Sequence, residues 1–172
     1  LHVVGDAMLE QVLSQMEALA PAAQWRPLRV RIEHANGLAG ARLSRAAALG
    51  LVVAQPRPTS PIASWIKAGI PVAYGSDSGF PPFAAFAQMV DPTNPNGVDR
   101  DTALAILTSG GAFAEFAEGD RGILDVGMQA DLAVLSQDIM TVPGAALPAT
   151  RSLMTIVAGQ VAFEAPGFSS DP

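Results

Sequence analysis

The feature that most constrains this chain is a repeated unit: a short apolar run, a polar residue at its end, then a helical segment before the next run. Residues 28–34 (LRVRIEH) alternate Leu28, Val30 and Ile32 with Arg29, Arg31 and Glu33, the period of a strand. Residues 51–55 (LVVAQ) form a second apolar run, stopped by Pro56. Residues 70–77 (IPVAYGSD) form a third, ending in a polar turn. Helical patterns separate them. Residues 6–20 set Met8, Leu9, Val12, Leu13, Met16 and Leu19 on one face, with Asp6 as N-cap. Residues 39–49 close on Gly50, 61–69 close on a glycine, and 100–117 are rich in Ala and Leu. Units of this kind require parallel strands joined by helical crossovers, with mostly apolar strands because both sheet faces are covered. The expected class is α/β. Three or four units make about half of an eight-stranded barrel, which typically needs roughly 250 residues. A small doubly wound sheet satisfies the same pattern.

Composition narrows the function classes. At 172 residues with 49% hydrophobic and 15% charged residues, the chain holds enough apolar material for a substantial core. A net charge of −6, with no basic run interleaved with aromatics, argues against nucleic acid as a partner. No apolar stretch approaches the roughly 20 residues that span a bilayer. The absence of cysteine removes disulfides, a thiol nucleophile and thiolate metal ligands. The chain opens at Leu1-His2 without Met, so it is expected to continue upstream, and a targeting signal is not legible; the cytoplasm is the expected compartment.

From about residue 120 the character changes. Residues 122–136 carry turn glycines and then an apolar strand, and 151–164 look like two strands joined at Ala158-Gly159. The expected division is a barrel portion over 1–120 and part of a small β-sandwich over 121–172.

The polar strand ends are where chemistry is expected. There are only two histidines. His34 ends the 28–34 run, and His2 stands where a strand would end if the chain began earlier; each precedes a glycine and then a helix. Asp77 has the same position after the 70–77 run. Active sites of parallel barrels sit at the C-terminal strand ends, and imidazole and carboxylate are ligands that zinc accepts. Three strands therefore offer His2, His34 and Asp77 to one metal ion. The plainer reading makes the histidines surface or hydrogen-bonded residues and Asp77 a turn cap.

HVVGD at 2–6, RIEH at 31–34, GIPVAYGSD at 69–77 and GILDVGMQADLAVL at 122–135 stand in an order that resembles the amidohydrolase superfamily, in particular its branch of N-substituted formamide deformylase-like hydrolases. In that family the fifth barrel strand ends in His-x-x-Gly-Asp, the sixth in Glu-His and the eighth in Gly-Ser-Asp. The resemblance implies the C-terminal half of a TIM-type (β/α)8 barrel with a small all-β portion. It implies a metal-dependent hydrolase of C–N bonds other than peptide bonds, with one or two divalent ions, zinc being the expected one, and a small amide-like substrate. It makes His2 and His34 metal ligands, and Asp77 both ligand and proton carrier. Glu33 should face away from His34, in a supporting position, with Arg31 on its side and able to pair with it. Asp131 is expected to be a structural turn residue.

Two departures stand out. The family's first-strand His-x-His pair and its fourth-strand ligand have no counterpart in these residues. Relatives often carry a histidine shortly after the Gln-Pro of the seventh strand, where this chain has Arg57. The expected partner is accordingly the N-terminal half of the barrel or another copy of the chain. The rival to the enzyme reading is a truncated, non-catalytic or oligomerising piece that binds no functional metal. A third reading is a small α/β protein holding an anion at a helix N-terminus.

Overall fold

A computed structural model describes residues 1–54, 57–77 and 79–168. Gln55 and Pro56, expected to end one strand, and residues 169–172 of the expected β-portion lie outside the described residues.

Four parallel strands, β1 (His2–Val3), β2 (Arg31–His34), β3 (Val52–Ala54) and β4 (Val72–Ala73), form one sheet in chain order. Between them run the helices α1 (Asp6–Leu19), α2 (Ala22–Trp25), α3 (Ala41–Leu49) and α4 (Ile62–Lys67). Val3, Ile32, Val53 and Val72 enter one core with Leu9, Leu13 and Met16 of α1, Leu49 of α3 and Trp65 of α4. That is the helix-covered face of a partial TIM-type barrel, as the strand–helix pattern requires. The opposite, lumen-side face is a separate small cluster of Val52, Ala54, Ala73 and Ala114.

Several boundaries differ from the sequence pattern, each for a local reason. In α1 only Leu9, Leu13 and Met16 are buried; Met8 and Leu19 fall outside the stripe and are exposed. Asp6 does not cap the helix. Gly5 holds the cap position, and the Asp6 carboxylate accepts from Arg42 of α3 at 3.1 Å instead. β2 starts at Arg31, not at 28, because residues Arg26–Leu28 form a 3-10 turn containing Pro27, after which Arg29 takes a left-handed φ of 44°. Its guanidinium then lies 3.8 Å from the centre of the Phe113 ring and pairs with Glu118, joining this turn to the end of the barrel portion.

Two further helices follow β4: α5 (Pro82–Met89) and α6 (Arg100–Leu107). A third, α7 (Ser109–Ala114), follows, so that α6 and α7 together replace the single helix expected over 100–117. Thr108 and Ser109 return their hydroxyls to the carbonyls of Leu104 and Ala105, and the backbone turns at Thr108. Gly110 then meets β4 so closely that a Cβ there would stand 2.4 Å from the Val72 carbonyl oxygen. A bend and a glycine together bring α7 onto the lumen side of the sheet.

The last part of the chain is an antiparallel sheet of β5 (Leu132–Leu135), β6 (Ser152–Val157) and β7 (Gln160–Glu164), in that order. β6 and β7 are joined by Ala158 and Gly159, both at positive φ (49° and 77°), the requirement of a type I′ hairpin. The Asp131 carboxylate accepts from the Ala158 backbone N–H at 2.7 Å and holds that turn. Between β5 and β6 the chain returns to the barrel, where Ile139 and Leu147 join the main core and Arg100 donates to the carbonyl of Val142 at 2.6 Å. Among the described residues no helix is long and apolar enough to cross a membrane.

Candidate active site

The register of the sheet sets out the site one row at a time. His2 pairs with Glu33, Glu33 with Ala54 and Ala54 with Ala73, so these four share the lumen side. The next row pairs Val3 with His34. Regular pleating would send His34 to the helix side with buried Val3, away from His2. The backbone prevents that. His34 has a φ of 68°, and the Ala35 N–H donates to the Glu33 carbonyl at 2.9 Å, an i to i+2 bond around His34. This is the rare, strained γ-turn, at a residue type that tolerates positive φ better than most. As a result the His2 and His34 rings meet edge to face, with centroids 4.7 Å apart and planes at 80°.

The loops behind the two histidines are tied together. The Arg42 guanidinium donates both to the Asp6 carboxylate (3.1 Å) and to the Gly37 carbonyl (3.0 Å). Gly37 sits at a φ of 87°, with the Asp6 carboxylate 2.2 Å from where a Cβ would be. Glycine is therefore the only residue that lets the two strand ends approach this closely. The spacing of His2 to Asp6 and of His34 to Gly37 has a mechanical meaning: the loops that follow the two histidines are held by one clamp.

Asp77 follows β4 at a positive φ of 47°. The turn is closed by the N–H groups of Gly79 and Phe80 donating to the Ser76 carbonyl, and by the Tyr74 hydroxyl donating to the Phe80 carbonyl at 2.5 Å. Partial burial raises the Tyr74 phenol above its ordinary pKa, which keeps it a donor. His2, His34 and Asp77 line one open cavity of about 600 Å³ at the C-terminal strand ends. That is within the usual range for a small-molecule site.

The structure brings the two histidines together and sets Asp77 in the lining of the same cavity. Among the described residues it forms no cluster of three or more potential ligands. As a donor set for a divalent ion, the two imidazoles and the Asp77 carboxylate are of the right chemical kind, and all three line one cavity. Glu33 and Arg31 share a strand face and pair with each other at 2.7 Å, Glu33 being the more buried of the two. Sequence reasoning passed over Tyr74, Asn36 and Gln88, which also line the cavity. Tyr74 was within reach of it, standing just before Gly75-Ser76-Asp77. Gln88 was not, because it lies on α5, over residues to which the sequence pattern assigns no element.

The family model described as the amidohydrolase family matches residues 1–163, nearly the whole chain. The chain belongs to the amidohydrolase family. No curated protein matches it significantly in sequence. Among solved structures it is similar to an adenosine deaminase from Xanthomonas campestris with bound zinc (TM-score 0.64, 20% identity), covering 95% of this chain and 51% of that one. It is also similar to a mutant atrazine chlorohydrolase TrzN from Arthrobacter aurescens TC1 complexed with zinc and atraton (TM-score 0.63, 22% identity, covering 95% and 43%). A third is an uncharacterized metal-dependent hydrolase from Pyrococcus furiosus (TM-score 0.60, 23% identity, covering 75% and 31%). At these identities the likeness is one of fold. The amidohydrolase chain spans about half or less of the length of these three structures.

Proposed function

We propose that this chain carries part of the active site of a metal-dependent hydrolase that cleaves C–N bonds other than peptide bonds. The observation that supports it most is the meeting of His2 and His34 across two strands by way of a strained turn. Backbone strain is retained where the surrounding structure enforces it, and it concentrates at functional sites. The zinc named in two of the similar structures makes zinc the first ion to test. In this reading His2, His34 and Asp77 hold the ion, and the remaining donors come from outside this chain: an N-terminal part of the barrel or a second copy. The bound ion supplies Lewis acidity toward the carbonyl.

The residues of the chain do the rest. An Asp77 oxygen accepts a proton from the attacking water and returns it to the leaving nitrogen, so the amine departs neutral. Glu33, paired with Arg31 and next to His2 across the strand pair, takes a supporting position. The narrower assignment to formamide-type substrates rests on the motif resemblance alone.

Asp77→Asn in the full-length protein tests this. Asparagine keeps the turn and still offers an oxygen to the ion, but it cannot take a proton. Turnover of a responsive amide should fall by about 10²–10⁴-fold in kcat, with a smaller change in KM and near-normal metal content. Wild-type turnover with normal metal would remove Asp77 from the chemistry. The absence of a third adjoining ligand among the described residues favours the non-catalytic reading in one respect. Full-length protein that binds no zinc and cleaves no amide would establish that reading instead.

A further inference from the structure

The loops behind His2 and His34 are tied by one guanidinium, that of Arg42. The turn that carries Asp77 is held by other means. Among the described residues the Asp77 carboxylate makes no hydrogen bond or ion pair. Its direction is therefore inherited from the backbone, which stands at a φ of 47°, a conformation that aspartate tolerates but does not prefer. Three hydrogen bonds hold that backbone. Two of them share an acceptor: the N–H groups of Gly79 and Phe80 reach the Ser76 carbonyl at 3.1 and 3.2 Å, the long end of the N–H···O range. The third is short. The Tyr74 hydroxyl donates to the Phe80 carbonyl at 2.5 Å, and among the described residues it is the only side-chain group bonded to residues 75–81. Tyr74 is itself anchored, because its backbone N–H donates to the Ile106 carbonyl of α6 at 2.9 Å and its ring packs on the main core. Residues 74–80 thus form a strap fixed to the core at one end and tied back by the phenol at the other. Asp77 stands at its middle, in the cavity lining.

We propose that Tyr74 is a positioning residue: its hydroxyl closes this strap and thereby aims the Asp77 carboxylate into the cavity. The inference rests on the hydrolase reading for what the carboxylate does there. Phenylalanine at 74 keeps the ring and its packing but removes the donor, which leaves two long bonds to one carbonyl. The strap then opens more often, and Asp77 is free to leave its left-handed conformation each time it does. A carboxylate turned out of the cavity cannot take a proton from the attacking water.

The test is a double-mutant cycle in the full-length protein, with Tyr74→Phe, Asp77→Asn and the two combined. Hydrogen exchange of the Gly79 and Phe80 amides is followed on zinc-free samples. On zinc-loaded samples kcat and KM are measured for an amide that the wild type cleaves, together with zinc per chain. Tyr74→Phe should speed exchange of the two amides about five- to tenfold, the worth of one hydrogen bond between neutral groups, and leave α1 and α3 unchanged. It should lower kcat about tenfold, as a small misplacement of a reacting group does, with KM and zinc content within about twofold of wild type. In the Asp77→Asn background the same substitution should leave kcat where it was. A purely structural role would lower kcat equally in both backgrounds. Unchanged exchange, unchanged kcat in Tyr74→Phe, or an equal further loss on top of Asp77→Asn would overturn the proposal. The two readings fail separately. Wild-type turnover by Asp77→Asn, or a wild type that cleaves no amide, removes the hydrolytic role of Asp77 and the assignment of Tyr74 with it. A loss in Asp77→Asn that Tyr74→Phe does not share keeps the hydrolase reading and removes Tyr74 alone.

Discussion

At the scale of single residues, the decisive departure from regular geometry is His34. A strand residue placed by pleating alone would turn its ring from His2, and only the φ of 68° brings the rings to 4.7 Å. Two substitutions separate backbone from side chain. His34→Asn supplies a residue that accepts the left-handed region but removes the imidazole. Its urea-unfolding stability should fall by about 0.5–1.5 kcal/mol, the worth of the edge-to-face contact with His2 that is lost, while zinc uptake by the full-length protein falls. His34→Val puts a β-branched side chain at positive φ and should lose about 1–2 kcal/mol of stability as well. Equal stability of the two variants would mean that the turn is not strained. Unchanged zinc uptake by both would take His34 out of the ligand set. Asp77, at a φ of 47°, shares this conformational signature, but it stands apart from the histidine pair.

Elements are joined here by close approaches more than by long interfaces. α7 reaches β4 because Gly110 lacks a side chain where the Val72 carbonyl passes. Gly110→Ala puts a methyl group 2.4 Å from that oxygen, and the sheet has to give way. The expected cost is about 1–3 kcal/mol, the usual penalty for overpacking. Thermal unfolding of the variant checks it, and an unchanged midpoint would mean that α7 lifts off without loss. Such a loss is invisible in the sequence. There, Gly110 falls inside the single helix expected over 100–117; in the fold it is the seat of a contact. The same holds for α5, whose Pro81-Pro82 start looks like loop chemistry. A proline in the first helical turn is in fact well accommodated, and the burial of Ala85, Phe86 and Met89 stabilises the helix that follows.

For the whole molecule, charge pairs across elements make stability depend on acid. The Arg45 guanidinium holds the Glu17 and Glu10 carboxyls below their ordinary range, with Arg42 adding to the effect on Glu10, and Arg29 does the same for Glu118. Lowered folded-state pKa values mean that the unfolded chain binds more protons near pH 4.5, the ordinary glutamate value. The contribution is therefore complete above that pH and is lost as pH falls through the folded-state values. Urea midpoints should be level from neutrality to about pH 5 and then decline. Arg45→Gln, which removes the largest cause at Glu17 and at Glu10, should lower the plateau and make the decline shallower. Parallel pH curves for the two proteins would show that these exposed pairs contribute nothing measurable. What the sequence by itself determined was periodic or local: parallel strands from the strand–helix repeat, the hairpin at Ala158-Gly159, and the position of His2, His34 and Asp77 at polar strand ends. These follow from hydrophobic period and turn preference, which act over a few residues. Tertiary structure alone decided that His34 turns back to His2, that Arg42 clamps Asp6 to Gly37, and that α7 breaks from α6 to lie on β4. Each of these depends on groups far apart in the chain meeting at a few ångströms, and no local propensity encodes that distance.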